Sequence, residues 1–255
     1  MIPATAPDSV RIRVGTVPFN VTTLPDAVTR VIRAAIKSEP ISIRFSNAYC
    51  VALASQDSEY QSLLNGPGLN FPDGTPVAWF MKKNAHKKGF IFGRVRGPSL
   101  FTETLNAGRK DNVGHFFLGT TQETLENLEA AVADRFPGTR ISGRFAPPFA
   151  PLDEDFYRDC AARVAATDAQ LIWVALGTPK QDFVAVELAK RVGRPCAAVG
   201  AAFDFVAGTA KEAPVWMQNS GTEWVYRLAT EPRRLWRRYL LGNIQFLRSA
   251  MTESA

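Results

Sequence analysis

From Ile41 onward the chain alternates short runs rich in β-branched and aromatic residues with longer stretches whose apolar positions recur every three or four residues. The runs Ile41–Phe45, Val113–Leu118, Arg140–Gly143, Leu171–Leu176 and Cys196–Val199 are predicted strands, apolar enough to be buried on both faces. The stretches Ala48–Leu64, Thr121–Phe136, Glu154–Ala165 and Gln181–Val192 are predicted helices, with Gly or Pro nearby as stops. Strand and helix in alternation predict an α/β fold, a Rossmann-like, mainly parallel sheet with flanking helices. No internal repeat or low-complexity segment interrupts it.

Three predicted strands run into glycine turns, Leu118-Gly119-Thr120, Leu176-Gly177-Thr178 and Val199-Gly200-Ala201. In an open parallel sheet the crevice beyond the carboxyl ends of the strands is where ligands bind, and helix N-termini there favour phosphate oxygens. Gly119, Thr120 and Gly177 are therefore candidate ligand contacts, although any one of these glycines read singly is ordinary turn chemistry. Neither GxGxxG nor a P-loop accompanies them, which argues against a standard dinucleotide or ATP site.

The pattern changes character from Gly221. The last 35 residues hold six arginines against three glutamates, half of the chain's net charge of +6. After Pro232, Trp236, Leu240, Ile244, Leu247 and Met251 fall on one stripe, with Arg234, Arg237, Arg238 and Arg248 mostly on the other side. A basic amphipathic helix with Trp and Tyr suits an anionic membrane surface, and equally suits a helix that packs its stripe on the main domain. The expected division is an α/β domain over 1–210 and a helical appendage over 211–255.

Composition narrows the rest. At 255 residues and 46% hydrophobic the chain can bury a substantial core. No leader pattern opens it and its apolar runs are far shorter than the ~20 residues that cross a bilayer, so secretion and membrane spanning are not expected. Cys50, Cys160 and Cys196 are too few and too scattered for a disulfide scaffold or a metal site and read as small buried hydrophobes in a reducing compartment. The positive charge asks for an anionic partner without choosing among diphosphates, phospholipids and nucleic acid.

Two turns offer chemistry. Asn70-Phe71-Pro72-Asp73-Gly74-Thr75-Pro76 holds a carboxylate in a Pro/Gly-stiffened turn before the apolar stretch Val77–Met81. Asp73 there suits a general base taking a proton from an attacking hydroxyl, while spacing alone favours a plain Asp-Gly turn. In Gly177-Thr178-Pro179-Lys180-Gln181-Asp182, Gln181 offers donor and acceptor to a sugar or base edge and Lys180 suits a phosphate; a Thr178 cap with Asp182 facing the helix dipole is compatible with both roles. Asp153-Glu154-Asp155 has the spacing of an acidic metal motif but follows Pro151 at a helix start, where carboxylates offset the dipole. His86 sits in a lysine run and His115 in a strand, so no metal is expected.

Taken in order, these pieces resemble the WecG/TagA/CpsF family, glycosyltransferase family 26, over about Ile41–Leu247. The carriers are Phe45-Ser46-Asn47, the Pro72-Asp73-Gly74 turn, Leu176 to Asp182, Val199 to Gly208, Glu223-Trp224-Val225-Tyr226-Arg227-Leu228 and Glu231-Pro232-Arg233-Arg234. The resemblance implies inverting, metal-independent transfer from a UDP-sugar to an undecaprenyl-diphosphate-linked saccharide in exopolysaccharide, capsule or cell-wall polymer synthesis, with no cofactor beyond the donor. It implies Asp73 as general base, Ser46, Asn47 and Gln181 near the donor or reacting sugar, and Arg227, Arg234 and Arg237 neutralising diphosphate charge from the appendage. It also implies a cytoplasmic enzyme peripheral to the inner face of the membrane through its C-terminal helix, and leaves homo-oligomerisation open. Departures are Ser46 where the family has Thr, Glu212-Ala213-Pro214 for Arg-Ala-Pro and Gly93-Arg94-Val95 for Glu-Arg-Val. The Glu212 and Gly93 departures motivate the rival reading, a non-catalytic nucleotide-sugar or phospholipid-binding protein of the same fold; nucleic-acid binding is not expected, because no binding module accompanies the charge.

Overall fold

The computed structural model describes residues 10–85, 89 and 91–252, apart from the side chains of residues 219, 234 and 237–241. The chain divides into two compact units, one made of residues 1–23, 45–96 and 212–255, the other of 24–44 and 97–211. The expected appendage thus falls almost whole into the first unit, together with residues 45–96.

A six-stranded parallel sheet runs β4-β3-β8-β7-β5-β6, built from β3 (Ser42–Ser46), β4 (Leu69–Pro72), β5 (Gly114–Gly119), β6 (Arg140–Phe145), β7 (Leu171–Ala175) and β8 (Cys196–Ala198). The α/β, Rossmann-like expectation therefore holds. A separate antiparallel hairpin, β1 (Arg11–Val14) and β2 (Val17–Asn20), precedes it. The hairpin and β4 are elements the periodicity does not announce: each is four residues long, too short for alternation to stand out.

In the second unit the side-chain period of two sorts the strands' apolar residues onto both faces. Phe116, Leu118, Ile172, Val174, Cys196 and Ala198 pack with α7 (Glu154–Ala165) and α8 (Lys180–Val192) in one core. On the alternate positions, Phe117 and Trp173 meet Phe101 of α5 (Gly97–Gly108) and Phe203 of α9 (Ala202–Ala207), with ring centroids 4.9–5.8 Å apart. Trp173 Nε1 donates to His115 Nδ1 at 3.1 Å, and burial holds that imidazole down at about 3, so His115 is a neutral core group. The three cysteines are free and buried, as expected. Burial, as the larger cause, pushes the Cys160 thiol up to about 12.

Helix boundaries follow their caps. Thr121 caps α6 (Gln122–Arg135), and Asp153 caps α7 by accepting from Phe156 N at 2.9 Å, so the acidic triplet serves a helix start. The predicted helix Ala48–Leu64 is two helices, α2 (Ala48–Ala54) and α3 (Ser58–Asn65). The break lies at Asp57, whose carboxylate accepts from Glu59 N and Tyr60 N, each at 3.0 Å, and so restarts the chain. Helix α1 (Leu24–Ile36) completes the second unit's helices, and α4 (Thr75–Asn84), α10 (Val215–Ser220), α11 (Glu223–Thr230) and α12 (Pro232–Thr252) belong to the first.

Helix α12 buries Leu235, Phe246 and Ala250, while Trp236, Ile244, Leu247 and Met251 are about half exposed or more. The stripe read from the sequence is thus the outer face; the Leu240 side chain lies outside the described residues. No helix among the described residues is long and apolar enough to cross a membrane.

Candidate active site

Within the first unit, the Pro72-Asp73-Gly74 turn is fixed from both sides. Asp73 N donates to the carbonyl of Ser46 at the end of β3, at 3.0 Å, and Val95 N donates to the Pro72 carbonyl at 2.8 Å. Gly74 then takes φ +108°, a conformation that side-chain-bearing residues rarely adopt, and Pro76 opens α4. The strand thus ends on a carboxylate and turns at once into a helix.

Asp73 lines a cavity of about 290 Å³ together with Asn47, Arg94, Glu223 and Arg227; Tyr49, Trp224 and Phe246 complete its apolar wall. Desolvation raises the Asp73 carboxyl from its ordinary 3.8 to about 6, and the charge of Glu223 adds to the rise. The positive charges of Arg96, Arg94 and Arg227 pull the other way and are outweighed. A carboxylate with that proton affinity is mostly ionised at neutral pH and still basic enough to accept a proton.

Behind the cavity, Arg96 is 6% exposed and occupied on every side. Its Nε and Nη2 grip Glu223 at 3.1 and 2.9 Å, Nη2 also reaches Glu212 at 2.6 Å, and Nη1 donates to Gln218 Oε1 at 2.6 Å. This arginine ties the loop before α10, α10 itself and the first turn of α11 to the segment that carries Arg94. Glu223 and Arg227, four residues apart, share one face of α11, so the grip on Glu223 presents Arg227 to the cavity. The Glu212 departure is a structural partner of Arg96, and Gly93, with open space where a side chain would stand, donates its N–H to Thr22 O at 3.1 Å.

Of the residues singled out from the sequence, Asp73, Asn47 and Arg227 line this one cavity. Asn47 Oδ1 caps α2, accepting from Tyr49 N and Cys50 N, which leaves its amide N–H groups for a ligand. Ser46 is buried, donating to Asn70 Oδ1 at 2.6 Å, and supports the turn instead of lining the cavity. The side chains of Arg234 and Arg237 lie outside the described residues.

Gly119, Thr120, Gly177, Lys180 and Gln181 belong to the second unit. Gly119 takes φ +126°, and a side chain there would collide with the Ala175 carbonyl; Thr120, itself at φ +55°, donates its N–H to that same carbonyl at 3.0 Å. Gly177, at φ +77°, faces open space. Gln181 is buried, its Nε2 donating to Ala198 O at 3.3 Å, and its Oε1 has no partner among the described residues. Such an unmet acceptor at the carboxyl end of the sheet suits a ligand N–H or hydroxyl. Lys180 is already engaged: its Nζ donates to Ala150 O at 2.7 Å and lies over the rings of Phe149 and Phe156. Pro179, not Thr178, takes the cap position of α8, with no side-chain hydrogen bond.

Sequence reasoning missed Arg96 and the charge of Glu223 beside Asp73. The only local signal was two arginines flanking a valine in Arg94-Val95-Arg96, and nothing local names the Arg96 partners, more than a hundred residues away.

The chain matches the model of the glycosyl transferase WecG/TagA/CpsF family over residues 12–255. It is 30% identical over 192 residues, 73% of this chain and 70% of the relative, to the N-acetylglucosaminyldiphosphoundecaprenol N-acetyl-beta-D-mannosaminyltransferase of Bacillus spizizenii. With that match spanning nearly its whole length, the chain belongs to the WecG/TagA/CpsF family of glycosyl transferases.

Proposed function

We propose that the protein transfers a sugar from a UDP-sugar, with inversion, to a saccharide carried on undecaprenyl diphosphate, in the synthesis of a cell-surface polymer, and that Asp73 is its general base. The observation that carries this is the Asp73 carboxyl, raised to about 6 in a cavity that also presents Arg94 and Arg227. As the acceptor hydroxyl attacks the anomeric carbon, its proton passes to Asp73 while the bond to the departing diphosphate breaks. Cationic side chains lower the cost of the charge that develops on the leaving group. The activity in the relative's name, N-acetylmannosaminyl transfer to N-acetylglucosaminyldiphosphoundecaprenol, supports a lipid-linked acceptor. For the second unit, the unmet Gln181 Oε1 and the open backbone at Gly177 support contacts to a polar donor group.

Peripheral attachment to an anionic inner membrane face is part of the same reading. It is supported by the outward Trp236, Ile244, Leu247 and Met251 of α12, by exposed Val215 and Trp216 on α10, and by exposed Arg233 and Arg248.

Asp73→Asn tests the base. Its kcat should drop by about 10²–10⁴ with UDP-sugar binding retained, and the wild-type kcat/KM should fall with a slope of one below pH about 6. Turnover within a few-fold of wild type in a folded Asp73→Asn variant would remove Asp73 from that role.

A further inference from the structure

We infer that an apolar groove beside the Asp73 cavity seats the first isoprene units of the polyprenyl-linked acceptor, an assignment that rests on the reading of that cavity as the place of transfer. The groove, about 490 Å³, is walled by Pro76, Trp79 and Phe80 of α4 and by Phe246, Leu247 and Met251 of α12. It shares Thr75, Pro76, Gly221, Phe246 and Leu247 with the Asp73 cavity, so the two lie side by side against the same residues. Gly221 belongs to the shared wall: at φ +79° its backbone lies so near Thr75 that an added Cβ would stand 2.7 Å from Oγ1.

Polarity changes along this path in the order the ligand requires. The cavity holds the base and two arginines, suited to a sugar and a diphosphate, whereas the groove's lining contains one charged residue, Lys83, at its far end with its ammonium 5.7 Å from the Phe80 ring centroid. Trp79, Leu247 and Met251 stand 58%, 47% and 71% exposed, adjacent apolar surface that stays in water until something covers it. From Thr75 to Lys83 the groove follows α4 for roughly 12 Å at 1.5 Å per residue, the length of about two or three extended isoprene units.

The test uses the full chain without membranes or detergent, and soluble acceptors bearing the same sugar diphosphate on a methyl group or on one, two, three or four isoprene units. For the wild-type enzyme KM should fall by roughly thirtyfold per unit, as one-sided burial of five carbons implies, and level off after two or three units. The double variant Trp79→Gln/Met251→Gln, changed at exposed positions, should keep kcat on the methyl acceptor and lose the dependence on chain length. A wild-type KM indifferent to chain length, or a variant that keeps the full dependence, overturns the assignment. So does concentration-dependent dimerisation of the wild type that the variant abolishes, which would give the groove to a second copy. Absence of transfer to every acceptor, the methyl one included, would instead sink the reading of the Asp73 cavity itself.

Discussion

A buried carboxyl raised above its solution value is a stability defect, and Asp73 allows that defect to be measured. Its proton affinity moves from 3.8 to about 6 on folding, which at about 1.4 kcal/mol per pH unit amounts to about 3 kcal/mol. The folded state favours the protonated form, so the penalty is fully present above pH about 6, where both folded and unfolded chains carry the ionised group. It shrinks as pH falls through 6 and vanishes below 3.8, where both are protonated. Asp73→Asn keeps the side chain's shape and removes the charge. At pH 8 it should therefore stabilise the protein by at most about 3 kcal/mol, a rise in Tm of up to roughly 6–12 °C for a chain of this size, while turnover collapses. The assay is calorimetric or fluorescence-detected melting of both proteins at pH 8, 6 and 4.5, with the gain largest at pH 8. A variant no more stable than wild type at pH 8, or a gain that does not change with pH, would refute the argument that burial holds Asp73 up.

Two further substitutions separate support from chemistry. Arg96→Met should cost about 2–4 kcal/mol in urea denaturation at pH 7, because Glu223 and Glu212 lose their buried cation, less than a fully buried pair because the Glu212 side chain is 37% exposed; an unchanged midpoint would show that the grip contributes nothing. Arg227→Ala should lower kcat by about a hundredfold with the denaturation midpoint within about 0.5 kcal/mol of wild type, and a loss confined to stability would remove Arg227 from the cavity's chemistry.

Local chemistry wrote much of the fold into the chain. Strands β3, β5, β7 and β8 lie within a residue or two of their predicted runs; β7 and β8 are apolar throughout, as burial on both faces favours, whereas β3 and β5 also bury Arg44 and His115. Helix α7 matches its predicted span, since Asp153 caps it within three residues. The turn that holds Asp73 was legible for the same reason, because Pro72, Gly74 and Pro76 stiffen it, while the base role came only from the family resemblance. Tertiary structure decided what depends on distant partners. It set Glu223 and Arg94 beside Asp73, buried Arg96 among Glu212, Gln218 and Glu223, withdrew Ser46 onto Asn70, spent the Lys180 ammonium on Ala150, and turned the apolar stripe of α12 outward. A proton affinity depends on desolvation and on charges brought near by folding, and neither is carried by the residues adjacent to Asp73 in the chain.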